Sequence, residues 1–247
     1  MVIALLLGLP LAVGAQTSQE QWEKQVGQQE YQQLQRQGVI VTSSPYYVIL
    51  DPIGHRIAAV ANKQYYAPFR FILVKDKSPN AFAVPGGNVY VTTAMMTFAR
   101  SKEELGGVLC HEVSHDLHHD VYNLQRKDQT LSLAAGVLGA LVGGNSGIAQ
   151  QILGLGANLQ GLNYSRAVES NADHTGAFIC AQAGSNPWGM VWLFKRFQTK
   201  PSGVPLEMLS DHPRDDHRVS DLENLLRSNP ATFGRFSSNP ATATPLR

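Results

Sequence analysis

His111-Glu112-Val113-Ser114-His115 is the stretch that decides how this chain folds. Two histidines four residues apart on a helix stand one above the other on one face, so both imidazoles reach one tetrahedral metal ion. The glutamate beside the first histidine faces the open side of such an ion, where it can take a proton from water. The plain alternative is a surface helix carrying two solvated histidines. The flanking residues argue against it. Ser101 followed by Glu104 is a capping box and predicts the helix start. Leu105, Val108, Leu109, Val113 and Leu117 then recur at spacings of three and four, the stripe of a helix with a buried face. His111 and His115 flank that stripe and are expected to be partly buried.

A catalytic zinc needs a third protein ligand. His119 is too far along a straight helix, because eight residues of rise separate it from His111 by roughly 12 Å. The arrangement HExxHxxGxxH would solve this with a glycine turn. Here the glycine position holds His118 and the last position Val121, so that subclass is excluded. The remaining common solution is a glutamate on a second helix. Glu169-Ser170-Asn171-Ala172-Asp173 lies in a helix predicted over Tyr164–Ala183. Glu169 would ligate the zinc, and Asp173 would hold the far nitrogen of a ligand histidine and fix its tautomer. An exposed acidic face is the alternative for this pair, weakened by the absence of another third ligand.

On these residues the chain resembles the zinc metallopeptidases that include the CaaX prenyl proteases and HtpX. Three more segments carry the likeness. Asn80-Ala81-Phe82-Ala83-Val84-Pro85-Gly86-Gly87 is similar to the family's NAFA-PGG segment. Ser165-Arg166 matches its SR-x-x-E lead-in to Glu169, and His212-Pro213 with Arg218 matches its HP-x4-R element. The likeness covers roughly Gln21 to Leu226 and looks closest to the soluble, exported branch typified by BepA and LoiP. Two positions depart from the pattern. Cys110 stands where the family usually has alanine, and Asp120 where a histidine often closes the metal helix. The resemblance implies an α+β, mainly helical, zincin-like (gluzincin) fold with a small β-sheet packed beside the HExxH helix. It also implies one zinc per chain and protein or peptide substrates, with misfolded envelope proteins a candidate class.

Composition sets the outer bounds. With 247 residues, 43% of them hydrophobic, there is enough chain for one domain with a large core. A net charge of +1 leaves no footprint for nucleic acid. Val2–Ala15 is an apolar run ending in small residues and reads as a signal peptide (residues 1–15), although a positive leading region is missing. No cysteine follows it, so an exported, soluble, periplasmic or secreted product that is not a lipoprotein is expected. The metallopeptidase domain is placed at 16–227 and a flexible tail at 228–247. Two cysteines could pair, but Cys180 lies eleven residues beyond Glu169, about 16 Å along its helix, and free thiols are expected.

Along the chain, helices are predicted over Gln19–Gln37, Pro45–Ala61, Trp188–Phe197 and Pro213–Arg227. Strands are predicted over Phe69–Val74, Ala81–Val84 and Asn88–Thr92, with Pro85-Gly86-Gly87 as a turn. Asn88, Val89, Tyr90 and Val91 are the candidate edge strand for a substrate backbone; an ordinary sheet edge is the alternative. The apolar, Ala- and Gly-rich stretch 131–160 reads as a helical hairpin near the cleft, or as a membrane or partner contact.

Chemically, Glu112 is the expected general base toward a zinc-activated water. His212 and Arg218 are candidates for stabilising or orienting the oxyanion. His212 has a second reading, suggested by the resemblance: a gate that fills the open metal position at rest. The other functional class is a chaperone-like envelope assembly factor with a latent or silent zinc site.

Overall fold

The structure is a computed structural model and describes residues 17–127, 164–199, 212 and 216–246. The expected signal peptide and the hairpin at 131–160 lie outside these residues.

Three strands form one sheet. They are β1 (Arg70–Val74), β2 (Ala81–Val84) and β3 (Asn88–Thr92), in the order β1-β3-β2. β1 runs parallel to β3, and β2 antiparallel to it. Pro85-Gly86-Gly87 makes the β2–β3 turn with φ of 98° and 88° at the two glycines, a backbone region that side chains disfavour. A Cβ on Gly87 would also lie 2.6 Å from the Pro68 carbonyl oxygen. This order overturns the edge-strand expectation: Asn88, Val89, Tyr90 and Val91 lie in the central strand, buried throughout. β3 inserts between its two predecessors, which strand propensity alone does not reveal. Among the described residues β1 and β2 are the outer strands.

The sheet's two faces alternate with its pleat. Phe82, Val84 and Tyr90 pack on one side with Val26 and Leu34 of α1 (Ser18–Arg36). Ala81, Val89 and Val91 face the other side. There the main core gathers Leu50, Ile53 and Ile57 of α2 (Tyr47–Ala61) and Leu105, Val108, Leu109 and Val113 of α4 (Lys102–Leu117). Between sheet and α4 lies a short helix that the sequence reading missed, α3 (Thr93–Phe98), capped by the Thr92 hydroxyl, which accepts from the Met95 N–H at 3.0 Å.

α4 is the centre of the molecule. Every residue from Glu104 to Asp116 is buried, where the stripe predicted one buried face. Its four apolar anchors each contribute about 1.5–3 kcal/mol by leaving water. Its polar face meets α5 (Arg166–Gln182), α6 (Trp188–Thr199) and the β2–β3 hairpin, where its polar groups find partners. Glu104 takes the Arg100 N–H at 2.7 Å and Arg196 at 2.6 Å, so it does not close the capping box on Ser101; the Ser101 hydroxyl accepts from the Glu104 N–H as predicted.

α5 runs along α4 in the opposite direction, with Glu169 beside His115, Asp173 beside His111 and Gly176 against Cys110. A Cβ on Gly176 would sit 3.1 Å from the Cys110 carbonyl oxygen, and this close approach lets the next turn reach across. Cys110 and Cys180 therefore form a disulfide, with Cα atoms 5.8 Å apart. The expectation of free thiols is thus corrected. Distance along one helix did not matter, because the helices lie side by side. Cross-linking residues 70 apart in sequence constrains the unfolded chain by about 4 kcal/mol in the chain-entropy account.

A second cluster joins α5, α6 and α7 (Asp216–Ser228) through Ala177, Trp188, Met190, Leu222 and Leu226. The tail expected to be flexible belongs to this body. Phe233, in α8 (Pro230–Phe233), is 1% exposed. Farther on, the Lys102 N–H donates to the Thr244 carbonyl and the Leu246 N–H to the Arg100 carbonyl, so this segment caps one free N–H of α4 and pairs with the residue before Ser101. No described helix is long and apolar enough to cross a membrane.

Candidate metal centre

α4 presents His111 and His115 one turn apart. α5, capped by Ser165, presents Glu169 in its first turn, and His212 enters ahead of α7. One donor atom from each of these four buried residues lies within 4.8 Å of all the others. His111 Nε2 is 3.1 Å from His115 Nε2 and 3.2 Å from His212 Nδ1. Glu169 reaches His212 Nδ1 at 2.8 Å, His111 Nε2 at 3.5 Å and His115 Nε2 at 3.6 Å. A tetrahedral ion with bonds of about 2.0–2.1 Å has ligand-to-ligand edges of roughly 3.3 Å, so the set has the right span.

The outer nitrogens make the fit stricter. His115 Nδ1 donates to Asp120 Oδ2 at 2.8 Å. His111 Nδ1 lies 2.9 Å from Asp173 Oδ1, angled away from ideal hydrogen-bond geometry. A carboxylate at each Nδ1 favours the proton there and turns both Nε2 lone pairs inward toward each other. Two Nε2 atoms 3.1 Å apart in a dry site cannot both keep inward lone pairs unless a cation, a proton on His111 or a metal ion, lies between them. Sequence reading paired Asp173 with a ligand histidine. It noted Asp120 only as a departure and missed that it faces His115. His119, at φ 56°, turns the chain after α4 and returns Asp120 to the site.

Glu112 stands beside the donors. Its Oε2 accepts the Ala83 N–H of β2 at 3.1 Å. Its Oε1 is buried 3.5 Å from His212 Nε2, with no hydrogen-bond partner among the described residues. One turn on, Asp116 accepts the Gly87 N–H at 3.0 Å, so α4 grips the β2–β3 hairpin at two points. Tyr164 stacks on His115 with ring centres 4.4 Å apart. Neither contact left a signal in the sequence. Arg218 is placed differently from its expected oxyanion role. Its Nε and Nη2 hold Asp173 at 2.8 and 2.7 Å, and its Nη1 holds Glu169 Oε2 at 2.6 Å. All three nitrogens are engaged by carboxylates, so Arg218 braces the ligand helix.

The neighbouring histidines pull the two central glutamates apart. Burial raises Glu112, only partly offset by His212 and His111. Burial would raise Glu169 too, but His212 and His111 outweigh it and hold Glu169 low. Burial would lower His111, yet Asp173 and Glu169 lift it to about 10, while burial and the cationic His111 push His115 well down. The anionic form is thus favoured at Glu169, while Glu112 holds a proton more readily than an ordinary carboxylate.

The sequence matches peptidase family M48 across residues 49–226. It is 28% identical over 229 residues to the beta-barrel assembly-enhancing protease of Yersinia pestis, covering 89% of this chain and 47% of that protein. Against the protein of the same name in Escherichia coli K12 the identity is 26% over 211 residues, 82% of this chain and 43% of the relative. The mitochondrial metalloendopeptidase OMA1 of Schizosaccharomyces pombe is 23% identical over 210 residues, covering 83% of this chain and 61% of that protein. The chain therefore spans under half the length of these two bacterial relatives. With the match covering well over half of its 247 residues, the chain belongs to peptidase family M48.

Proposed function

We propose that this protein is a zinc metalloendopeptidase of zincin-like, gluzincin type, acting in cell-envelope protein quality control and latent at rest. The observation that carries this reading is the buried set His111, His115, Glu169 and His212, its donor atoms within 4.8 Å of one another, beside Glu112. Three imidazole nitrogens and one carboxylate suit zinc among the common divalent ions. When bound, zinc would polarise the scissile carbonyl and lower the pKa of the attacking water.

The residues divide the remaining work. Ala83 holds one Glu112 oxygen, leaving Oε1 to take the water proton and pass it to the leaving amine. Asp173 and Asp120 fix the two histidine rings, and Arg218 locks Glu169 and Asp173 together. An extended substrate would lie along β2, the outer strand beside Glu112, and not along β3. With His111, His115, Glu169 and His212 all engaged, a bound ion would have no open position for water, so His212 would withdraw before substrate enters. Envelope proteins as substrates, and an exported location, rest on the sequence likeness and on the names of the bacterial relatives.

Glu112→Gln tests the catalytic reading. Zinc content should stay at one per chain while cleavage of an unfolded protein substrate falls by about 10²-fold or more. Cleavage surviving at the wild-type rate would sink the proposal. A cellular role that survives the substitution while cleavage is lost would favour the chaperone-like reading.

A further inference from the structure

We infer that the Cys110–Cys180 disulfide is a positioning element of the metal centre, setting how tightly the ion is held. This deepens the metal-site reading and rests on it. The bridge joins the two helices that supply most of the site. Cys110 immediately precedes His111 on α4, and Cys180 lies on α5, the helix that carries Glu169 and Asp173. Both cysteines are fully buried, so the bridge lies inside the helix interface. It also lies at a close backbone approach of α5 to α4, where Gly176 meets the Cys110 carbonyl and the His111 N–H, each 3.1 Å from an added Cβ.

Most of the donors come from two helices, and Arg218 already neutralises Glu169 and Asp173 on α5, so what the bridge opposes is drift of α5 against α4 when no ion joins them. Metal affinity depends on donors held within about 0.5 Å of the binding geometry before the ion arrives. A covalent tie beside the first ligand holds His111, His115 and Glu169 in place while the site is metal-free. Breaking it leaves that task to packing alone.

The test compares the intact protein with Cys110→Ala/Cys180→Ala, measuring the zinc Kd by chelator competition and the fold by circular dichroism. The zinc-loaded variant should keep its helical spectrum, and its Kd should weaken about 10–100-fold, the range seen when partners of metal ligands are lost. Cys110→Ala/Cys180→Val, which restores buried volume without the bridge, should show the same loss. Phe233→Leu, in the remote helical cluster, should lower Tm and leave the zinc Kd unchanged. Folded double variants binding zinc within twofold of wild type would overturn the inference, as would an equal weakening by Phe233→Leu. A wild-type protein that binds no zinc would instead remove the metal-site reading itself.

Discussion

His212 Nδ1 lies 2.8 Å from Glu169 Oε1, which places a histidine from outside both ligand helices within the donor set. The same nitrogen is 3.2 Å from His111 Nε2, and the far ring nitrogen faces Glu112 at 3.5 Å. One side chain thus touches a ligand histidine, the ligand glutamate and the proposed base. In the proposed mechanism that arrangement is inhibitory while it persists and permissive once His212 leaves.

The carboxylates behind the histidines should govern metal retention. Asp173→Ala and Asp120→Ala each remove the acceptor that orients a ligand ring, and each should weaken zinc binding about 10–100-fold. Asp120→Asn keeps an acceptor toward His115 Nδ1 and should stay within a few fold of wild type. Chelator competition on the purified variants checks all three.

Arg218 neutralises two buried carboxylates. Arg218→Met should lower the stability of the metal-free protein by about 3–5 kcal/mol, because Asp173 and Glu169 stay buried without their cation. Arg218→Lys should rescue little, since one ammonium cannot reproduce three directed contacts. Denaturant melts in the presence of chelator measure both. If either variant melted like wild type, the bracing role would be wrong.

Glu30 offers a pH signature far from the metal. It is 4% exposed on the inner face of α1, and its Oε2 has no hydrogen-bond partner among the described residues. Burial raises its pKa above the ordinary carboxylate range. A raised acid favours the folded state below its unfolded pKa, and that advantage is lost as pH climbs through the folded value. Glu30→Gln never ionises, so it should stabilise by about 1 kcal/mol at neutral pH and by progressively less toward pH 4. Thermal melts at pH 4 and pH 7 should show the gap closing on the acid side.

The strap at the chain end should matter to stability. Phe233→Ala should cost about 3–5 kcal/mol, the usual penalty for emptying a buried aromatic site. A loosely tethered tail would tolerate the change without effect on the melt.

Much of this was legible in the sequence because it is local. Helix periodicity and the Ser101 cap placed α4, and the i, i+4 spacings of His111–His115 and Glu169–Asp173 put each pair on one helical face. What depended on the third dimension was less accessible. Strand propensity found β3 but could not tell that it inserts between β1 and β2. Spacing along α5 set Cys180 far from Glu169, while antiparallel packing brought it to Cys110. Arg218 was recognised as part of a motif, yet only the packed helices show it facing Asp173 and Glu169. The tail's polar composition suggested disorder because its few anchors, Phe233 and Leu246, are effective only against a surface built by distant residues.

The claim of latency is tested most directly by the cleavage rate of His212→Ala, measured on an unfolded protein substrate with zinc content confirmed at one per chain. Three protein ligands remain, and the fourth position is opened, so the rate should rise above wild type by about tenfold or more. A rate that falls, with zinc retained, would contradict the account and return His212 to a role in stabilising the reaction.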